Sequence, residues 1–184
     1  MNTQNNKEIS KLLSLILRHK PQTIGLSIDE NGWAEIDELI SKLNQHGHSC
    51  SKATLEEIVT TNDKQRFAFD ATHTRIRANQ GHSINVDVEM ETKEPPAFLY
   101  HGTVKKFLEK IRTGGLQKMK RQHVHLSKDK ETAQKVGSRR GEAIILTVQS
   151  GKMHTDGMVF YLSSNGVWLT DHVPEQYIDF TSAD

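Results

Sequence analysis

Arg66-Phe67-Ala68-Phe69 and Thr74-Arg75-Ile76-Arg77 alternate in character and are joined by Asp70-Ala71-Thr72-His73. An alternation of period two places every second side chain on one face of a ribbon, so residues 66–77 are expected to form a β-hairpin. Upstream, Ile9, Leu12, Leu13 and Ile16 fall at helical spacing. That helix should run over residues 7–18 and stop before Pro21, because the residue before a proline disfavours the helical region. A short strand is expected over 23–28, with Asn31-Gly32 as the turn and Trp33-Ala34-Glu35-Ile36 as the returning strand. Helices should follow over 37–45, stopped by Gly47, and over 51–61, with Ser51 as N-cap. Three short helices followed by a hairpin is the pattern of a winged helix, a frequent nucleic-acid-binding module.

Residues 81–96 are polar and acidic and end in Pro95-Pro96, which suggests a linker or a crossing strand. A new block starts at Ala97. It should hold helices over 104–112 and 129–136 and strands over 124–126 and 143–148. A hairpin of 158–162 and 167–170 around Asn165-Gly166 completes it. The expected fold class is α+β, with an N-terminal lobe over 1–80, a linker over 81–96 and a C-terminal lobe over 97–184.

The net charge of +1 hides a split along the chain. Residues 101–141 carry 12 Lys/Arg against 3 Asp/Glu, whereas the segments on either side are acidic. A basic stretch of that size favours a polyanionic or phosphate-rich ligand, although a solvated helix face has the same composition. The chain has no apolar run of membrane length and no signal-type N-terminus. Cys50 is the single cysteine, so no internal disulfide can form, and a cytoplasmic protein is expected.

The candidate residues cluster where elements end. Arg18 and His19 close the first helix. They serve as cations against the helix dipole or as a rigid pair for a phosphate, in which His19 can also move a proton. Arg66 opens a strand and can reach a cross-strand partner or a phosphate. His101-Gly102-Thr103 offers ribose-bonding groups beside a glycine that admits close approach. His123 and His125 share a strand face, which raises zinc, but no Cys-x-x-Cys or further ligand set accompanies them, so no metal is expected. There is no Gly-x-Ser-x-Gly, Walker loop or Gly-x-Gly-x-x-Gly, and Cys50 has no evident base. Hydrolase nucleophiles and the common nucleotide folds are therefore disfavoured.

Seven segments together resemble the Tpt1/KptA family of NAD-dependent RNA 2′-phosphotransferases. They are Leu17-Arg18-His19-Lys20-Pro21, Gly25-Leu26, Arg66-Phe67, Tyr100-His101-Gly102-Thr103, His125-Leu126-Ser127, Val136-Gly137-Ser138-Arg139 and Asn165-Gly166-Val167-Trp168-Leu169. Each is weak alone, but their joint order from about Ile9 to Tyr177 is specific. The resemblance implies a winged-helix RNA lobe and an ADP-ribosyltransferase-like lobe that binds NAD⁺. NAD⁺ would be consumed as co-substrate. The internal RNA 2′-phosphate would attack C1″ of the nicotinamide ribose and expel nicotinamide. The ribose 2″-OH of the RNA-2′-phospho-ADP-ribose would then attack phosphorus, giving an RNA 2′-OH and ADP-ribose 1″,2″-cyclic phosphate. In the family this removes tRNA splice-junction phosphates.

The family's Arg-His-Arg-Arg tetrad falls on Arg18, His19, Arg66 and Arg139, with Arg140 one step out of register. By the same resemblance His101, Gly102, Thr103, His125, Leu126, Ser127 and Val167 line the NAD⁺ site. Val167 stands where protein-modifying relatives of the fold carry glutamate, which argues against protein ADP-ribosylation. The rival readings are ADP-ribosylation of nucleic-acid terminal phosphates and non-catalytic RNA binding. An intact Arg18, His19, Arg66 and Arg139 set disfavours the latter, since phosphate binding alone does not need His19. With the tetrad shared between the lobes, the isolated C-terminal block should not remove a 2′-phosphate.

Overall fold

The computed structural model describes residues 3–181 of the 184-residue chain. It is α+β and divides into two compact units, residues 1–89 and 90–184, so the boundary falls inside the acidic segment 81–96.

In the first unit, α1 (Thr3–Arg18) turns Ile9, Leu13, Ile16 and Leu17 into the core, where all four are fully buried. Each such side chain contributes about 1.5–3 kcal/mol of burial free energy. Against it pack α2 (Ile36–Gln45), through Leu39 and Leu43, and α3 (Lys52–Thr60), through Leu55 and Ile58. The Ser51 hydroxyl accepts the Thr54 N–H at 3.2 Å, the N-cap expected from the sequence. β1 (Ala34–Glu35), β2 (Phe67–Phe69) and β3 (Arg75–Ala78) form one antiparallel sheet in the order β1-β3-β2. β2 and β3 are the expected hairpin, in register Phe67 to Ala78 and Phe69 to Ile76. Its turn is tied by the Asp70 carboxylate, which accepts the N–H groups of Thr74 and Arg75, both at 2.9 Å.

The strand expected over 23–28 does not form. Pro21 starts a single 3₁₀ turn (Pro21–Thr23), and the N–H groups of Thr23, Ile24, Gly25 and Leu26 bond back to the carbonyls of residues 20–22. With those donors spent locally and Gly25 at φ +65°, no sheet ladder can start there. β1 instead pairs with β3, Ala34 opposite Ile76.

In the second unit, β4 (Leu99–Thr103), β7 (Ile144–Val148) and β11 (Ile178–Asp179) form a sheet in the order β11-β7-β4. A second sheet, in the order β6-β9-β8, joins β6 (Val124–Leu126), β8 (Tyr161–Leu162) and β9 (Trp168–Thr170). β8 and β9 flank the expected Asn165-Gly166 turn. β5 (Leu116–Gln117) and β10 (His172–Val173) make a third, short pair. The apolar core runs between them through Leu99, Leu126, Leu146, Val148, Met153, Phe160 and Trp168.

α4 (Leu108–Gly114) begins later than residue 104, after a 3₁₀ turn over Lys105–Phe107. α5 (Lys130–Gly137) is capped by Asp129, whose carboxylate accepts the Thr132 N–H at 2.7 Å. α6 (Ser150–Thr155) was not expected from the sequence. It is a short polar helix whose buried residues are Ser150 and Met153, which carries too little apolar periodicity to be seen.

Gly102 decides how α5 sits on β4. A Cβ at that position would collide with the Ala133 carbonyl oxygen, and one at Gly137 would press against Ala143 and Gly102 at 3.0–3.1 Å. Two glycines thus bring the helix onto the strand backbone, and this sets where Ser138-Arg139-Arg140, the 3₁₀ turn that ends α5, emerges.

Candidate functional site

Two polar clusters stand out, one in each unit. The first gathers at the C-terminal end of α1. The carbonyl of Arg18, one of the acceptors a helix end leaves unpaired, takes the Ser83 N–H at 2.8 Å and the Ile84 N–H at 3.4 Å. Arg18 and His19 are both half-buried. The His19 ring meets the Ser83 hydroxyl, with Nδ1 and Oγ 2.9 Å apart. Arg66, also half-buried, precedes β2, and its carbonyl accepts the Asn79 N–H at 2.9 Å. Asn79 in turn leads into the Gly81-His82-Ser83 stretch. Backbone bonds therefore tie Arg18 and Arg66 to one short segment, residues 79–84.

His82 is the residue of this cluster that the sequence did not single out. Its side chain is 1% exposed, and neither ring nitrogen has a hydrogen-bond partner among the described residues. Burial pushes its pKa down to about 4, helped by the neighbouring Arg18, His19 and Arg77. The imidazole is therefore neutral at physiological pH and adds no further charge to the cations beside it.

A stability prediction follows. An unfolded chain would protonate His82 near its ordinary value of 6.5, the folded chain only near 4. Between those pH values the unfolded state binds more protons, so stability falls as pH drops from 6.5 to 4, by about 3 kcal/mol from this residue. Urea unfolding midpoints measured across that window should show a steeper acid loss in the natural chain than in His82→Leu. Superimposable curves would contradict the assignment.

The second cluster lies along β4 and β6. His101 is half-buried and donates from Nδ1 to the His125 carbonyl at 3.1 Å, which leaves Nε2 as its acceptor face. Burial lowers its pKa, as do Arg140 and Arg121, so it too stays neutral. The backbones of Tyr100 and Ser127 exchange hydrogen bonds of 2.9 and 2.8 Å, which locks the two motifs side by side. Thr103 and Leu126 are buried, and Leu126 belongs to the core. Val167 is half-buried in the turn, where its N–H donates to the Ser163 hydroxyl at 3.0 Å.

Arg121 belongs to this cluster and was not singled out from the sequence. Its Nη1 lies 3.2 Å from Nδ1 of His125, and a guanidinium can only donate, so Nδ1 accepts. Although part of the side chain faces solvent, burial lowers its pKa, followed by the proximity of Arg140 and Arg139. Arg139 and Arg140 themselves are exposed. Three guanidiniums thus act on one region, an arrangement that suits a multiply charged anion.

Other expectations find different homes. His123 packs against the Tyr161 ring at 5.3 Å between centroids rather than joining His125. Among the described residues, no group of three or more His, Cys, Asp or Glu could hold a metal ion. Cys50 is buried and its thiol is pushed up to about 11, so it is not a ready nucleophile. No described helix is long and apolar enough to cross a membrane.

Comparison with known proteins bears on both clusters. Residues 4–172 match the sequence model of a family described as RNA 2′-phosphotransferase, Tpt1 / KptA family. Several proteins named probable RNA 2′-phosphotransferase are similar over nearly the whole chain. One from Flavobacterium johnsoniae is 58% identical over 99% of this chain and 100% of its own length. One from Streptomyces coelicolor is 51% identical over 98% of each, and one from Rhodopirellula baltica is 52% identical over 93% of this chain and 94% of its own.

Proposed function

Since the chain belongs to the Tpt1/KptA family of RNA 2′-phosphotransferases, we propose that it removes an internal RNA 2′-phosphate by transfer to NAD⁺. The observation that carries this reading is the family match over residues 4–172, which takes in both cationic clusters. In this reading the first unit is a winged-helix RNA-binding lobe and the second an ADP-ribosyltransferase-like lobe.

The residues of the second cluster suit NAD⁺ as co-substrate. His101 offers a neutral acceptor at Nε2, and His125 Nδ1 accepts from Arg121, which fixes its ring beside the arginines. Thr103 and Ser127 add hydroxyls, and the three arginines supply positive charge for a diphosphate. Gly102, Leu126 and Val167 would contribute through the backbone rather than through polar side chains. When bound, NAD⁺ supplies an electrophilic ribose carbon with nicotinamide as leaving group.

Arg18 and Arg66 bind the RNA 2′-phosphate and hold it for attack on that carbon. In the second step charge gathers on the phosphoryl oxygens, and fixed guanidiniums stabilise it. His19 supplies a proton to the departing RNA 2′-oxygen, so that the product bears a 2′-OH. For the fourth cation, the resemblance points to Arg139. The contact with His125 favours Arg121, and Arg139 and Arg140 add charge near it. Nicotinamide release that depends on a 2′-phosphorylated RNA tests this reading.

RNA affinity should also fall with salt. Binding that rests on phosphate contacts releases counterions, with a log–log slope of about −0.7 for each phosphate neutralised on a single strand. Titrations of a short 2′-phosphorylated RNA at increasing salt are expected to give a slope equivalent to several contacts. An affinity indifferent to ionic strength would rule out phosphate-led binding.

A further inference from the structure

We propose that Ser83 is a positioning residue for His19. Its hydroxyl holds the imidazole through Nδ1 and so presents Nε2 as the working nitrogen. This rests on the role of His19 proposed above, and it adds a residue that no family motif quoted above contains.

The geometry supplies the argument. Ser83 grips the end of α1 twice: its N–H meets the Arg18 carbonyl at 2.8 Å, and its Oγ meets His19 Nδ1 at 2.9 Å. The backbone bond fixes where the hydroxyl sits relative to the helix end, so the second contact is aimed rather than accidental. His82, the preceding residue, is buried at 1% exposure and anchors the segment in the first unit. Ser83 itself is exposed, and His19 Nδ1 is the side-chain partner that its hydroxyl finds among the described residues.

A hydroxyl suits this task because it both donates and accepts. When His19 is neutral, the Ser83 hydroxyl either donates to Nδ1 or accepts from Nδ1–H, so the contact holds for either tautomer. When His19 is charged, Nδ1–H donates to Oγ, and Nε2–H is the proton that passes to the departing RNA oxygen. The neutral ring that remains keeps its Nδ1–H on Oγ, so the ring orientation is held before and after the transfer. A carbonyl at this place would accept only from Nδ1–H, and a carboxylate would hold the ring charged. Arg18 and His82 are the other titratable groups known to lie close to His19.

The test uses the full chain with ¹⁵N-labelled histidine, and the His19 ring signals are assigned through His19→Asn. In the natural chain the His19 Nδ1 signal is expected at the shift of a hydrogen-bonded nitrogen. Ser83→Ala should move that signal and Ser83→Thr restore it. With NAD⁺ and a 2′-phosphorylated oligonucleotide, Ser83→Ala should lower kcat about 3- to 10-fold, the size of one neutral hydrogen bond, with KM for RNA unchanged and recovery in Ser83→Thr. Unaltered His19 ring signals in Ser83→Ala, or an effect confined to KM, would overturn the positioning role. A natural chain that releases no nicotinamide would instead overturn the reaction on which the role rests.

Discussion

Arg18→Ala is expected to lower kcat/KM for 2′-phosphate removal by about 100- to 1000-fold, the loss seen when one fixed donor to a developing negative charge is removed. Arg18 is half-buried at the end of α1, and the Ser83 and Ile84 N–H groups hold its carbonyl. Those backbone bonds fix the helix end that carries the guanidinium, and alanine leaves them intact. Arg121→Ala should lose a comparable factor, because Arg121 combines the His125 contact with the charge of Arg139 and Arg140. Arg139→Ala and Arg140→Ala should each lose less, as both side chains are exposed. Single-turnover assays beside thermal unfolding curves separate lost chemistry from lost fold. Near-natural turnover in Arg18→Ala would remove it from the phosphate site. A larger loss in Arg139→Ala than in Arg121→Ala would return the fourth place to Arg139.

His19→Ala should change the product pattern as well as the rate. A phosphate monoester can attack a ribose carbon without proton transfer, whereas the second step must return a hydrogen to the RNA 2′-oxygen. The variant is therefore expected to slow the second step by about 100-fold or more, within the range for general acid catalysis, and to accumulate RNA-2′-phospho-ADP-ribose. Gel separation of 5′-labelled RNA over time would display that species as a slow-migrating band. If only unreacted RNA is seen, with no intermediate at any time, His19 serves the first step or binding instead.

Elements with strong local signals were legible in the sequence. The 66–77 hairpin, the Ser51 cap and strand β6 stand where alternation and capping chemistry put them. The expected strand over 23–28 failed because Pro21 and Gly25 close a turn that uses up the backbone donors, a competition that side-chain alternation does not record. The segment 81–96 was harder still. Its acidic composition suggested a linker, yet His82, Val86 and Val88 are buried. Their positions two and four residues apart were the available signal, outweighed by the polar residues between them and the acidic ones that follow.

Among the candidate residues, Arg18 and His19 were visible because they close a recognisable helix, and His101 and His125 because they stand in the short motifs of β4 and β6. Arg121 was not, since it lies within a run of lysines and arginines where composition gives every cation the same weight. What distinguishes it is its approach to His125 Nδ1, which only folding creates. Gly102 illustrates the converse. The sequence suggested that a glycine there lets a ligand approach, while the structure gives it a packing duty against Ala133.

The most direct test of the whole account is to incubate the full chain with NAD⁺ and a short RNA bearing one internal 2′-phosphate, then identify every product by mass. The account predicts nicotinamide, RNA with a 2′-OH, and ADP-ribose 1″,2″-cyclic phosphate in equal amounts, with none formed when NAD⁺ is left out. Removal of the phosphate without NAD⁺, or release of inorganic phosphate in place of the cyclic product, would contradict it.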